Sequence, residues 1–147
     1  MWKEVISTNK APAAIGPYSL GIKSPVGELV FVSGTVGWDA NGNVAGDGSV
    51  AAQTRQALEN IKSLLEAAGS SLEDVVKVTV FLTDPDDYEK MNEVRAEYFS
   101  ENPPASSAFV IKRLIPADLS VEIDCLLYTS DAADDTPCVD LGGRRII

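Results

Sequence analysis

The chain has 147 residues, 45% of them hydrophobic and 23% charged, a balance that fits one globular domain and excludes two ordinary cores. Its formal net charge of −10, from 12 Lys plus Arg against 22 Asp plus Glu, argues against nucleic acid or an anionic membrane as the main partner. With no histidine and only two cysteines, a histidine general base, a Ser-His-Asp triad, a His-ligated metal and a zinc site are all excluded.

No apolar run approaches the ~20 residues of a membrane span, and residues 1–10 (MWKEVISTNK) lack the apolar centre of a secretory signal, so the chain reads as cytoplasmic. Whatever chemistry it performs must use carboxylates, hydroxyls, backbone groups, Lys, Arg or bound water.

In chain order, a strand is expected around Tyr18–Ile22, with Gly27-Glu28 as a hairpin turn into the β-branched and aromatic run Leu29–Ser33. Asp39–Gly48 (DANGNVAGDG) is a loop. A helix follows: Ser49 can cap it, Ala57, Leu58, Ile61, Leu64, Leu65 and Ala68 recur at helical spacing, and Gly69 suits the C′ position. Gln53, Arg55, Gln56, Glu59 and Lys62 read as its solvated face. Val75–Leu82 (VVKVTVFL) is too β-branched for a helix and suits a strand buried on much of both faces. Asp84-Pro85-Asp86-Asp87 opens a second helix with an apolar stripe of Tyr88, Met91, Val94 and Tyr98, which Pro103-Pro104 stops. Ser107–Ile111 and Val121–Leu127 are two final strands.

The result is an α+β domain of order β-β-β-α-β-α-β-β: a mixed sheet of about six strands with two helices on one face. The other face needs a cover, and the apolar content of its strands points to a second subunit.

The stretch from Cys125 (CLLYTSDAADDTPCVDLGGRRII) resembles the translation of sequencing-library adapter DNA. The domain is therefore expected to span residues 1–128, with native sequence to 124, and 129–147 to form a non-native or disordered tail. Cys125–Tyr128 is apolar and can complete the last strand by chance. Both cysteines fall in this stretch, and removing it leaves the acidic balance intact.

Several pieces together carry a family resemblance: Ala11–Gly21 (APAAIGPYSLG), Val32-Ser33-Gly34, Ala52–Ala68, Val76–Leu82, Met91-Asn92, Pro104–Ser107 and Val121–Asp124. In these the chain resembles the Rid family of reactive intermediate deaminases, of chorismate-mutase-like fold, over residues 1–124. The resemblance implies a homotrimer with one cleft at each subunit interface. It also implies hydrolysis of enamines and imines such as 2-aminoacrylate or 2-iminobutanoate to 2-oxo acids and ammonia, with no metal or organic cofactor.

Imine hydrolysis needs a water held on the C=N carbon, a group that moves its proton, and a hold on the substrate. Glu122 is the candidate for the water: strand alternation puts Glu122 and Asp124 on one face, Val121 and Ile123 on the other. A solvated edge is the plainer reading of that face. The resemblance places Tyr18 at the cleft as a second catalytic group, with Ser33, Gly34, Asn92, Ser106 and Ser107 binding substrate. Gly34 permits close backbone approach to a ligand, though a glycine there equally ends a strand.

One position departs from the family. Pro104-Ala105-Ser106-Ser107 aligns with its Pro-Ala-Arg-Ser, whose arginine clamps the substrate carboxylate; Ser106 supplies neither charge nor planar fork. Lys112, six residues on, is ~20 Å away along a strand, and Arg113 has the wrong parity. Ala108 stands in place of the family's cysteine. Weakened activity on carboxylate-bearing imines is expected, and a non-catalytic ligand-binding or regulatory trimer is the alternative.

Overall fold

The computed structural model describes residues 3–6, 17–19, 21–23 and 27–129. Residues 11–16 and 20 of the Ala11–Gly21 piece, and residues 130–147 of the tail, lie outside them.

The last strand organises the fold. In β6 (Val121–Tyr128), Val121, Ile123, Cys125 and Leu127 are buried, while Glu122, Asp124, Leu126 and Tyr128 are half-buried on the opposite side. β6 lies between β3 (Leu29–Val36) and β4 (Val75–Leu82), antiparallel to both, and β5 (Ala105–Val110) adds parallel to β4. The sheet order is β3-β6-β4-β5. β1 (Glu4–Ile6) and β2 (Gly21–Lys23) form a separate antiparallel pair.

The element order is the one read from the sequence, and the α+β class with a mixed sheet and two helices holds. The detail differs: the six strands divide four and two, and β2 pairs with β1, not through a hairpin with β3. Strands of three residues carry too little alternation for the sequence to specify their partner.

Helix α1 (Val50–Ala67) is capped by Ser49, whose hydroxyl accepts from the Ala52 N–H at 3.2 Å, and Gly69 follows its end at φ +71°. Ala57, Leu58, Ile61 and Leu65 enter the core with Val78, Val80, Leu82, Ile123 and Leu127. Leu64 and Ala68 do not; both point to solvent.

Gln53 is also a correction, since it is buried and not solvated. Its amide donates to Gly48 O at 2.8 Å and its carbonyl accepts from the Ser120 N–H at 2.8 Å, fastening the start of α1 to the loop before β6. A polar side chain this deep is tolerated because both ends are hydrogen-bonded.

Helix α2 (Tyr88–Tyr98) follows a 3-10 turn over Pro85–Asp87, in which Asp84 accepts from the Asp86 N–H at 2.9 Å. It ends at Tyr98, before the prolines. α2 packs on α1, and Arg55 grips Glu97 through bonds of 2.6 and 2.9 Å. No described helix is long and apolar enough to cross a membrane.

Cys125 is 5% exposed and its thiol is pushed up to about 12, by burial first and then by the Asp124 charge. Cys125 and Leu127 thus belong to the core, whatever their origin, and Thr129 adds a bond from its N–H to Glu28 O at 2.8 Å. We propose that the domain closes there. Deleting residues 130–147 should leave the melting temperature within ~5 °C, roughly 1 kcal/mol for a domain of this size; a larger fall in a thermal melt would mean the tail packs on the domain.

Candidate functional site

The free face of the sheet holds one cluster. In register, Glu122 lies between Val36 of β3 and Phe81 of β4. A bulge between Val32 and Thr35 takes Ser33 and Gly34 out of the ladder, and both are exposed. The Glu122 carboxylate lies directly over Gly34: a Cβ there would run into Oε1 and sit 2.7 Å from Cδ. Glycine is what lets the carboxylate lie flat against the strand.

Among the described residues Glu122 has no hydrogen-bond or ion-pair partner. It borders a cleft of about 290 Å³ lined also by Phe81, Arg113, Leu114 and Ile115. Arg113 is there because β5 ends at Val110 and the chain then turns; strand parity does not extend to it.

The helix-covered face holds the second cluster. Tyr88, Asn92 and Arg95 follow one another at i, i+4 and i+7 along α2 and share one stripe. Arg95 is 2% exposed, and its Nη1 donates to Ser106 Oγ at 2.7 Å. Burial pulls its pKa below the ordinary guanidinium value, opposed by the nearby Tyr88 and Tyr18 phenols. Asn92 Oδ1 and Arg95 Nε are buried without partners. Tyr18 reaches this place because Ser19 bridges Ala105 in parallel, with its N–H on Pro104 O at 2.8 Å and its hydroxyl on Pro103 O.

The seven residues singled out from the sequence thus form two groups. Ser33, Gly34 and Glu122 lie together on the free face; Tyr18, Asn92 and Ser106 lie together on the helix side. Ser107, adjacent to Ser106, alternates to the free face and accepts from Lys77 Nζ at 2.6 Å. One chain does not unite the groups, because the sheet stands between them. The sequence reading leaves out Arg95 and takes Tyr88 only as part of the apolar stripe; their spacing from Asn92 was the available signal.

A cleft of about 260 Å³ opens beside the second group, lined by Leu82, Pro85, Tyr88, Ala108 and Val110. The Glu122 carboxylate and the buried Arg95 guanidinium thus lie on opposite faces of the β3-β6-β4-β5 sheet of a small α+β domain.

The family model described as Endoribonuclease L-PSP matches residues 8–129. A RutC family protein of Pyrococcus horikoshii is 51% identical over 126 residues, which cover 86% of this chain and 98% of that protein. The human 2-iminobutanoate/2-iminopropanoate deaminase is 40% identical over 124 residues, covering 84% and 88%. A solved structure of a conserved Rid-family protein from Yersinia pestis superposes with a TM-score of 0.79 at 27% identity, covering 87% and 99%. The chain belongs to this family, whose members carry the Rid, RutC and L-PSP names.

Two glycines separate the site from its scaffold. At Gly37, just past the end of β3 and against α1, a Cβ would lie 2.7 Å from Gln53 O, against backbone that cannot yield. At Gly34 it meets only the end of a flexible side chain. Gly37→Ala should therefore cost ~1–3 kcal/mol, the usual range for overpacking, and Gly34→Ala less than ~1 kcal/mol. Urea denaturation of both variants checks the ordering; equal losses would contradict it.

Proposed function

We propose that the chain is a cytoplasmic, cofactor-free homotrimer that hydrolyses reactive enamines and imines, of the 2-aminoacrylate and 2-iminobutanoate class, to 2-oxo acids and ammonia. The observation that carries this reading is the Glu122 carboxylate, laid over Gly34 and committed to no described group. The human relative named as a 2-iminobutanoate/2-iminopropanoate deaminase supports the substrate class.

The chemistry follows from the residues. An enamine first becomes the imine by protonation at carbon. Glu122 accepts a proton from water as the oxygen bonds to the C=N carbon and passes it to the nitrogen as the π bond opens, which gives a carbinolamine. Glu122 then takes the hydroxyl proton and delivers it to the nitrogen, the C–N bond breaks, and ammonia leaves as the oxygen closes to a carbonyl. One water is consumed and the carboxylate is regenerated. Tyr18 and Asn92 orient the substrate from the other half-site.

The trimer is supported by the division of the candidate residues between two faces and by apolar side chains left in water. Phe31 is 73% exposed, Phe109 53% and Ile115 94%. An interface joining the free face of one subunit to the β5 edge of the next would cover them and bring the half-sites together. A second reading, a non-catalytic ligand-binding trimer, is favoured by Ser106 and Ala108, where the family has an arginine and a cysteine. Ribonuclease action, which the family model's description names, is disfavoured by the charge of −10.

The test is 2-oxobutanoate release from freshly generated 2-iminobutanoate, with light scattering for assembly. Wild-type protein should accelerate release as a trimer, and Glu122→Gln should slow it by about 100-fold or more. Gly34→Ala, which displaces the carboxylate, should lose activity without losing stability. No acceleration over buffer favours the binding module; a monomer at micromolar concentration contradicts the interfacial cleft.

A further inference from the structure

We infer that Arg95 is the residue that selects an anionic substrate, its charge replacing from helix α2 the one that Ser106 lacks on β5. This deepens the proposed function and rests on its substrate class.

The guanidinium is the observation that asks for an explanation. It is 2% exposed, and among the described residues no carboxylate pairs with it; its neighbours are two phenols and a hydroxyl. Cations buried this far are normally held by an anion, because transfer from water is costly without one. Here Nε has no acceptor, and Asn92 Oδ1, one turn away, has no donor. Buried polar groups in a structural role are mostly hydrogen-bonded. The missing counter-charge fits a ligand that arrives with it.

The geometry says where that ligand would sit. Ser106 accepts from Arg95 at 2.7 Å, which leaves its own hydroxyl proton to donate. Ser106, Ala108 and Val110 share one side of β5, and Ala108 and Val110 line the cleft beside Tyr88. Tyr88 also faces Arg95. A carboxylate at the inner end of the cleft would take a hydrogen bond from Ser106, with the Arg95 charge directly behind it. The apolar walls at Leu82, Pro85 and Val110 suit the short alkyl group of a 2-oxo or 2-imino acid. Arg95 acts on specificity, and Glu122, from the other half-site, on the reaction.

The test separates binding from turnover by using two stable probes, 2-oxobutanoate and its uncharged analogue 2-oxobutanamide, in calorimetric titrations. Wild-type protein should prefer the carboxylate. Arg95→Gln should weaken 2-oxobutanoate by about 100-fold, as expected for loss of one close unit charge in a partly desolvated site, and leave 2-oxobutanamide unchanged. Arg95→Lys, which keeps charge and bulk and guards against a folding failure, should keep part of the preference. Arg95→Gln combined with Ser106→Arg should restore it. An equal loss for both probes would mean a structural role and overturn the proposal, as would wild-type protein that binds them alike or a folded Arg95→Gln that keeps its preference. If the preference follows Arg95 but no variant hydrolyses 2-iminobutanoate, the deaminase reading fails and this one stands.

Discussion

Strand β6 has neighbours on both sides, and its alternation cannot slip. Moving it by one residue would bring Glu122 and Asp124 under α1 and put Ile123 and Leu127 into water, since strand side chains alternate with a period of two. The register with Val36 and Phe81 is therefore held by the whole core. The carboxylate lies over Gly34 as a consequence, because the same register that buries Ile123 brings Glu122 beside the β3 bulge. Site and core are two faces of one strand.

That arrangement has a cost for the single chain. A sheet with helices on one face can present a carboxylate cleanly on the other, but it also keeps that carboxylate from anything on the helix side. Arg95 and Ser106 meet on the helix side of the sheet, at 2.7 Å. The proposed imine hydrolysis needs both a hold on the substrate and a group that handles water, and under that proposal the two are joined by association of subunits. The exposed Phe31, Phe109 and Ile115 are apolar surface of the kind such an association would bury.

The long, strongly patterned elements were legible in the sequence. The limits of β4 and the caps of α1 follow from β-branched runs, Ser49 and Gly69, and the free position of Glu122 follows from parity alone. The solvated face of α1 holds at Arg55, Glu59 and Lys62 but not at Gln53, and α2 buries a charged residue. Gln53 was assigned to water by residue type, but its amide joins two loops at the core edge. Arg95 went unnoticed because charged side chains are rarely buried, although its seven-residue spacing from Tyr88 placed it on the stripe with Asn92. Along β5 Lys112 is too distant from Ser106, whereas Arg95 reaches Ser106 from α2 at 2.7 Å. Partner choice for β1 and β2 was not legible, since three residues carry no register signal.

If the proposed half-sites complete each other between subunits, two inactive variants must complement. Glu122→Gln protein lacks a working free-face half, and a Tyr18→Ala/Asn92→Ala protein lacks a working helix-side half. Each alone should be nearly inactive in 2-oxobutanoate release. Unfolded together and refolded as mixed trimers, an equal mixture should recover about a quarter of wild-type activity, since random assembly leaves that share of interfaces with two intact halves. Mixed trimers that stay at the level of their parents would place each active site within one chain and contradict the intersubunit site.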